Sequence, residues 1–315
     1  MLSVLAVTFP FFALVLLGYL ATRRGVLPVS AIGGLNTFVL YFALPCMLYR
    51  FCASTPIAQL LDGSALLVYL LCAVVMVAGA VVCTRRGRWG WNDASFGALV
   101  TAFPNSGFMG VPLLVALLGA QAAGPAILTM LVDMIFTSSV CIALSRLDGA
   151  GSVGVALRNA LKGVAVNPMP WSMALGALAS AGGWGLPGPV DQTVGMLAAA
   201  ASPVALFTIG AVLARSQMNQ HEQVAAGDYV PLALAKLFVH PLLVWCAGQA
   251  AMAAGLPLDP RAFTVLVLVA ALPSASNVSL LVERFGAHGG RVARIILVST
   301  VLAFFSFSAA VALLV

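Results

Sequence analysis

The sequence is organised around one interrupted apolar stretch, Phe103-Pro104-Asn105-Ser106-Gly107-Phe108-Met109-Gly110-Val111-Pro112. The apolar run that contains it is long enough to span a bilayer. Pro104 lacks an N–H group and breaks helical hydrogen bonding, while Gly107 and Gly110 let the backbone leave helical geometry. Asn105 and Ser106 can cap a second half-helix. A helix broken at membrane depth indicates either a site for a small polar solute or ion, or a proline kink held by neighbouring helices.

A second interrupted stretch favours the first of these interpretations. It reads Ala271-Leu272-Pro273-Ser274-Ala275-Ser276-Asn277-Val278 and lies inside another apolar run. It again places a proline, serines and an asparagine near the centre of the run. Two interrupted spans in corresponding positions of two halves are typical of a transporter with its binding site at the midplane.

The composition indicates an integral membrane protein. Hydrophobic residues make up 62% of the 315 residues and charged residues 8%, whereas soluble domains carry about 25% charged residues. The net charge of +6 is spread over short loops between spans, so it does not indicate nucleic-acid binding. The six cysteines form no CxxC pair. We therefore expect free thiols and neither a disulfide framework nor a metal site.

The apolar runs predict an all-α fold of about ten transmembrane helices. The order of plain, proline-bearing and broken spans is alike in both halves, and each half holds an odd number of spans. We therefore predict two inverted five-helix repeats, each with one broken helix. The first repeat covers residues 1–147 and the second 167–315, and a cytoplasmic linker with an amphipathic segment covers 148–166. The predicted spans are about 2–21, 33–52, 64–84, 94–118, 122–147, 168–182, 190–214, 229–253, 263–285 and 291–315.

The basic residues predict the orientation in the cytoplasmic (inner) membrane. Most of them fall in loops on one side, including Arg85–Arg88, Arg146–Lys162 and Arg291, and the opposite side holds only Arg50 and Arg261. Because loops rich in lysine and arginine stay in the cytoplasm, both termini should lie on the outer side.

The chain resembles the auxin efflux carrier family, whose bacterial members are often labelled malonate transporters. The resemblance runs over essentially the whole chain. It is carried by the two interrupted stretches and by Leu35-Asn36 through Leu44-Pro45, Asn167-Pro168, and Ser202-Pro203-Val204-Ala205-Leu206-Phe207-Thr208-Ile209-Gly210. It implies the fold shared by plant auxin exporters, bile-acid symporters and sodium/proton antiporters. In that fold two broken helices cross at mid-membrane within a mobile transport domain, beside a scaffold domain. The short segment 148–166 matches the compact prokaryotic form.

The expected substrate is a small organic anion. Half-helix N-termini carry unpaired N–H groups and a positive dipole end, which favour a carboxylate. No cofactor is expected. The predicted substrate-binding residues are Pro104, Asn105, Ser106, Gly107, Pro273, Ser276, Asn277 and Asn36.

The membrane-embedded ionisable residues that matter are Asp133, Lys236 and His240. Asp133 and Lys236 are expected to face protein or water, because each costs about 2.5–3.5 kcal/mol at a helix centre. Asp133 is interpreted as a proton- or cation-coupling carboxylate, with a purely structural role as the alternative. Lys236 pairs with Asp133, meets the substrate, or reaches the interface along its aliphatic chain. His240 is interpreted as structural and His288 as solvated.

Several functions remain open at this point. The leading hypothesis is a secondary active transporter of carboxylates such as malonate or auxin-like acids, working by alternating access. The alternatives are a cation-coupled symporter of the bile-acid type, a channel, and an intramembrane enzyme. An aspartyl protease needs two membrane carboxylates, and only one is evident. The expected partners are the organic anion and membrane lipid, with a homodimer left open, and no nucleic acid.

Overall fold

A computed structural model describes residues 2–56, 60, 62–87, 89–147, 154, 155, 158, 162, 165–218 and 224–315 of the protein. The helices are α1 (Leu2–Arg23), α2 (Ala31–Ser54), α3 (Gly63–Arg85), α4 (Trp91–Ala102), α5 (Ser106–Leu118) and α6 (Ala120–Leu144). They continue with α7 (Pro168–Gly182), α8 (Gly188–Met218), α9 (Ala226–Ala253), α10 (Pro260–Ala270), α11 (Val278–Phe285) and α12 (Gly289–Leu314).

The described residues form an all-helical membrane protein. Seven helices, namely α1, α2, α3, α6, α8, α9 and α12, are long and apolar enough to cross a membrane. The predicted all-α membrane class is therefore confirmed. The two interrupted stretches separate α4 from α5 and α10 from α11, as expected. The ten-span count, the inverted repeat and its boundaries stay predictions, and most of the 148–166 linker lies outside the described residues.

The chain divides into two compact units. Unit 1 comprises 1–62, 106–128 and 165–219, and thus contains α1, α2, α5, α7 and α8. Within it α8 packs along α1, and α2 packs against α7 and α8. The approach of α1 to α8 is close because both helices present glycine. A methyl group built on Gly210 would lie 1.8 Å from the Val15 carbonyl oxygen, and one on Gly18 would lie 1.9 Å from the Phe207 carbonyl oxygen. Small residues let membrane helices approach backbone to backbone in this way.

Unit 2 comprises 63–105, 129–164 and 220–315, and holds α3, α4, most of α6, and α9 to α12. α3 packs against α4, α9 and the middle of α6, and α9 packs against α10 and α12. A set of polar contacts surrounds Arg291, which is 2% exposed at the start of α12. The guanidinium donates to the Asp228 and Asp93 carbonyls and to the Thr84 hydroxyl, and lies over the Trp89 ring.

Among the described residues, four helices contain a wider, π-helical turn. These turns are Val39–Ala43 in α2, Ser106–Gly110 at the start of α5, Val132–Thr137 in α6 and Ala235–Val239 in α9. π turns inside α-helices are frequent at functional sites. In α6, the Asp133 carbonyl accepts from the Ser138 N–H and also from the Ser138 hydroxyl, the latter at 2.9 Å. None of these turns was predicted from the sequence, although the turns in α6 and α9 carry Asp133 and Lys236.

Candidate functional site

The two breaks meet within unit 2 and satisfy each other's backbone. The Asn105 N–H donates to the Pro273 carbonyl at 2.8 Å, and the Ala275 N–H donates to the Phe103 carbonyl at 2.9 Å. Together they form a short antiparallel bridge between Pro104 and Ser274. Backbone groups freed by a broken membrane helix must be paired inside the protein, and here each break supplies the partners for the other. We call this feature the crossing.

The predicted substrate-binding residues occupy both units. Pro104, Asn105, Pro273 and Ser276 are buried at the crossing, and Asn277 is half-buried at the N-cap position of α11. Ser106 and Gly107 begin α5, which belongs to unit 1, as does α2 with Asn36. The crossing therefore brings Pro104, Asn105 and Pro273 together within unit 2, while a substrate role for Asn36, Ser106 and Gly107 stays a prediction.

Two side chains at the second break retain unused hydrogen-bonding capacity. Asn277 makes no capping hydrogen bond to α11, and its amide oxygen is buried without a partner among the described residues. The Ser274 hydroxyl is also buried without a partner among the described residues. Ser274 was not among the binding residues predicted from the sequence. Leaving a buried polar group unpaired costs about 1–3 kcal/mol. Groups of this kind at a break in a membrane helix are suited to binding a polar solute.

The Asp133 carboxylate is fully buried in the π turn of α6. One carboxylate oxygen accepts from the Tyr69 hydroxyl of α3 at 2.8 Å, and the other accepts from Thr137 at 3.0 Å. The expectation that Asp133 faces protein is thus met. Tyr69 was missed from the sequence because one tyrosine in an apolar run looks like a core residue.

Lys236 is fully buried in the π turn of α9. Its ammonium group donates to the Ala270 carbonyl at 2.6 Å, at the end of α10. The alternative in which Lys236 extends to the membrane interface is therefore wrong, because the side chain is anchored to a helix end inside unit 2. Lys236 and Asp133 interact electrostatically, but no ion pair within 4.0 Å joins these two described residues.

The two described histidines have different environments. His240 directly follows the π turn of α9 and is fully buried, with its ring 6.0 Å from the Tyr69 ring between centroids. Neither of its ring nitrogens has a partner among the described residues. His288 lies in a loop as expected and is half-buried rather than fully solvated, because it caps α12, accepts from the Arg291 N–H and packs edge-on against Trp89.

Comparison with known proteins identifies the family. A family model described as membrane transport protein matches residues 3–311. The chain belongs to this family. The resemblance to the auxin efflux carriers is thereby confirmed over essentially the whole chain. The protein is a multi-pass membrane transporter and not an enzyme, and neither the intramembrane enzyme nor the bile-acid symporter is supported.

The chain is similar to proteins named as transporters and spans most of their length. The chain is 30% identical over 314 residues to a candidate malonate transporter of Rhizobium meliloti strain 1021, covering 96% of this chain and 93% of the relative. It is 25% identical to the uncharacterized transporter YfdV of Escherichia coli K12, covering 89% and 87%. It is 26% identical to an uncharacterized transporter of Methanothermobacter thermautotrophicus, covering 93% and 92%.

Proposed function

We propose that the protein is a secondary active transporter that carries small organic anions, such as malonate or auxin-like acids, across the cytoplasmic membrane by alternating access. The observation that carries the proposal is the crossing, where two broken helices pair their backbones and leave polar side chains unused. The printed name of the Rhizobium relative supports malonate as the first substrate to test.

The chemistry of the crossing suits a carboxylate. α11 starts immediately after Asn277 and turns its N-terminal dipole end toward the second break, and this end of a helix attracts anions. The amides of Asn105 and Asn277 can donate hydrogen bonds to carboxylate oxygens. Pro104 and Pro273 keep the two breaks open, because neither can donate to a helical carbonyl. Asp133 and Lys236 are the proposed coupling residues.

The decisive test is counter-flow in proteoliposomes. Vesicles containing the full chain are loaded with unlabelled malonate or another mono- or dicarboxylate, and the uptake of labelled malonate is followed. We expect saturable uptake that the internal carboxylate accelerates, with a neutral sugar as the solute control. Uptake that neither saturates nor responds to internal substrate would identify a channel. If no carboxylate in the panel is taken up, the proposed substrate class is wrong.

Orientation is a separate part of the proposal. We propose that both termini face outward in the cytoplasmic membrane, on the distribution of arginine and lysine among the loops.

A further inference from the structure

The coupling residues are part of a larger buried cluster in unit 2. Tyr69 of α3, Asp133 of α6, and Lys236 and His240 of α9 are each fully buried. We call these four residues the Asp133 cluster. Tyr69 connects two of its members, because its hydroxyl donates to the carboxylate while its ring contacts the His240 ring.

The chemistry of this cluster fits a proton better than a sodium ion. Hard metal cations are held by several oxygen ligands at once. Here the two hydroxyl groups nearest the carboxylate, those of Tyr69 and Thr137, already donate to it. The remaining members supply nitrogen, and the Lys236 ammonium would repel a metal cation. A proton, by contrast, needs only one oxygen of the Asp133 carboxylate.

His240 gives the cluster a second group that can exchange protons. Imidazole is the side chain best suited to exchange near neutral pH. Both ring nitrogens are buried without a partner among the described residues, so the imidazole has the capacity to accept a proton and to donate one. We therefore give His240 a role in proton exchange besides the structural role that the sequence suggested.

Lys236 connects the cluster to the second break. The carbonyl it binds belongs to Ala270, the last residue of α10 and three residues before Pro273. A positive charge at a helix C-terminus is stabilising. When the Asp133 carboxylate gains a proton, its attraction for Lys236 disappears, and the ammonium is held more strongly by the end of α10.

The surrounding helices add few other titratable groups. The thiols of Cys72 on α3 and Cys141 on α6 interact electrostatically with Tyr69 and Asp133 respectively. α4 and α12 also pack against the π turns. Their charged residues near the helix starts are Asp93, Arg291 and Arg294, and these bind backbone or side-chain groups there.

We propose that the coupling ion of this transporter is a proton bound by the Asp133 cluster, with Tyr69 and His240 as working members and Lys236 as the positioning residue at the second break. This inference rests on the proposed transport of organic anions. The step is the addition of one proton from the aqueous phase to the Asp133 carboxylate, which becomes neutral, and its later release on the other side of the membrane.

The test imposes proton and sodium gradients separately on proteoliposomes that contain the full chain. Accumulation of labelled malonate and the internal pH are recorded together, and label exchange is measured at equal pH. For the wild type we expect accumulation driven by the pH gradient without sodium, and none driven by sodium at fixed pH. For Asp133→Asn and His240→Gln we expect the ratio of pH-driven accumulation to exchange to fall at least about ten-fold.

Tyr69→Phe separates a role in proton binding from a role in packing. Tyr69→Phe removes a hydrogen bond to the ionised carboxylate. At a given pH this loss lowers the ratio of ionised to protonated carboxylate by a factor of about ten to a hundred. The protonated form then persists to higher pH, so the midpoint of the pH dependence of uptake should move upward by about 1–2 pH units. Tyr229→Phe removes the same hydroxyl elsewhere on α9 and should leave the profile in place.

The outcomes separate the two proposals. Sodium-driven accumulation at fixed pH, or exchange without accumulation under either gradient, overturns proton coupling but leaves the anion transporter intact. An unmoved pH profile in Tyr69→Phe together with full coupling in His240→Gln removes both residues from the proton site. The absence of any malonate exchange in the wild type would instead refute the proposed function itself. The wild-type gradients remain decisive even if Asp133→Asn does not fold.

Discussion

Replacing Asn277 with alanine tests whether the second break binds solute. The Asn277 amide oxygen has no partner among the described residues, and the side chain does not cap α11. Its removal therefore deletes no hydrogen bond among the described residues, and we expect the free energy of unfolding to change by less than about 1 kcal/mol. A lost hydrogen bond to a carboxylate costs about 1.5–3 kcal/mol, so the affinity for malonate should weaken about ten- to a hundred-fold. Asn105→Ala should weaken it similarly.

Asn92→Ala is the matched control within the same unit. The Asn92 amide donates to the Phe285 and Gly286 carbonyls, each at 3.2 Å, and thus ties the start of α4 to the end of α11. Its loss should lower the free energy of unfolding by about 1–2 kcal/mol with little change in affinity. Half-saturation in counter-flow and thermal unfolding in detergent measure the two effects. If Asn277→Ala lowers stability but leaves half-saturation unchanged, Asn277 supports the fold and our assignment fails.

Three further predictions address topology and packing. A cysteine introduced in Gly255–Arg261 should react with an impermeant reagent added outside intact cells, and one in Arg85–Arg88 should not; the reverse pattern would invert the orientation. Gly210→Val should destabilise unit 1 by at least about 3 kcal/mol, because the β-carbon of the new side chain would already overlap the backbone of α1. Gly34→Ala is the control: its β-carbon meets nothing within 4 Å, so the change should be neutral in thermal unfolding. Arg291→Lys should lower thermal stability, because a lysine ammonium cannot reproduce the guanidinium hydrogen bonds to three different residues. Unchanged stability would contradict the hydrogen bonding described around Arg291.

Much of the helical layout could be predicted from local sequence. Hydrophobic length defines a membrane helix, and proline with glycine marks a break, so both signals can be read without knowing the neighbours. A helix start can be read from local sequence in the same way. The Asn167 side-chain oxygen accepts from the Met169 N–H at 3.0 Å and caps α7, which begins at Pro168 as predicted. The position of Asp133 inside a span likewise predicted its burial.

Contacts between distant segments could not be predicted in this way. The hydrogen bond between Tyr69 and Asp133 joins residues 64 positions apart. Neither residue type indicates, from sequence alone, which residue it will contact. Arg291 was interpreted as a loop residue that reports orientation, yet its charge is satisfied by carbonyls from two other helices and by a tryptophan face. A cation near the end of an apolar run is compatible with a solvated loop and with a buried position bonded to several helices. Only the tertiary packing decides which of the two environments it has.

The placement of polar groups within unit 2 gives the two proposals a common physical basis. Asn105 and Pro273 join the two breaks through backbone, and Lys236 binds the carbonyl at the end of α10. A solute that alters the second break therefore changes the environment of the Lys236 ammonium, which also interacts with Asp133. Since coupling between two sites is reciprocal, protonation of Asp133 must change solute affinity by the same factor by which solute binding changes proton affinity. Proton uptake or release measured when malonate binds to purified protein should then match the pH dependence of its affinity.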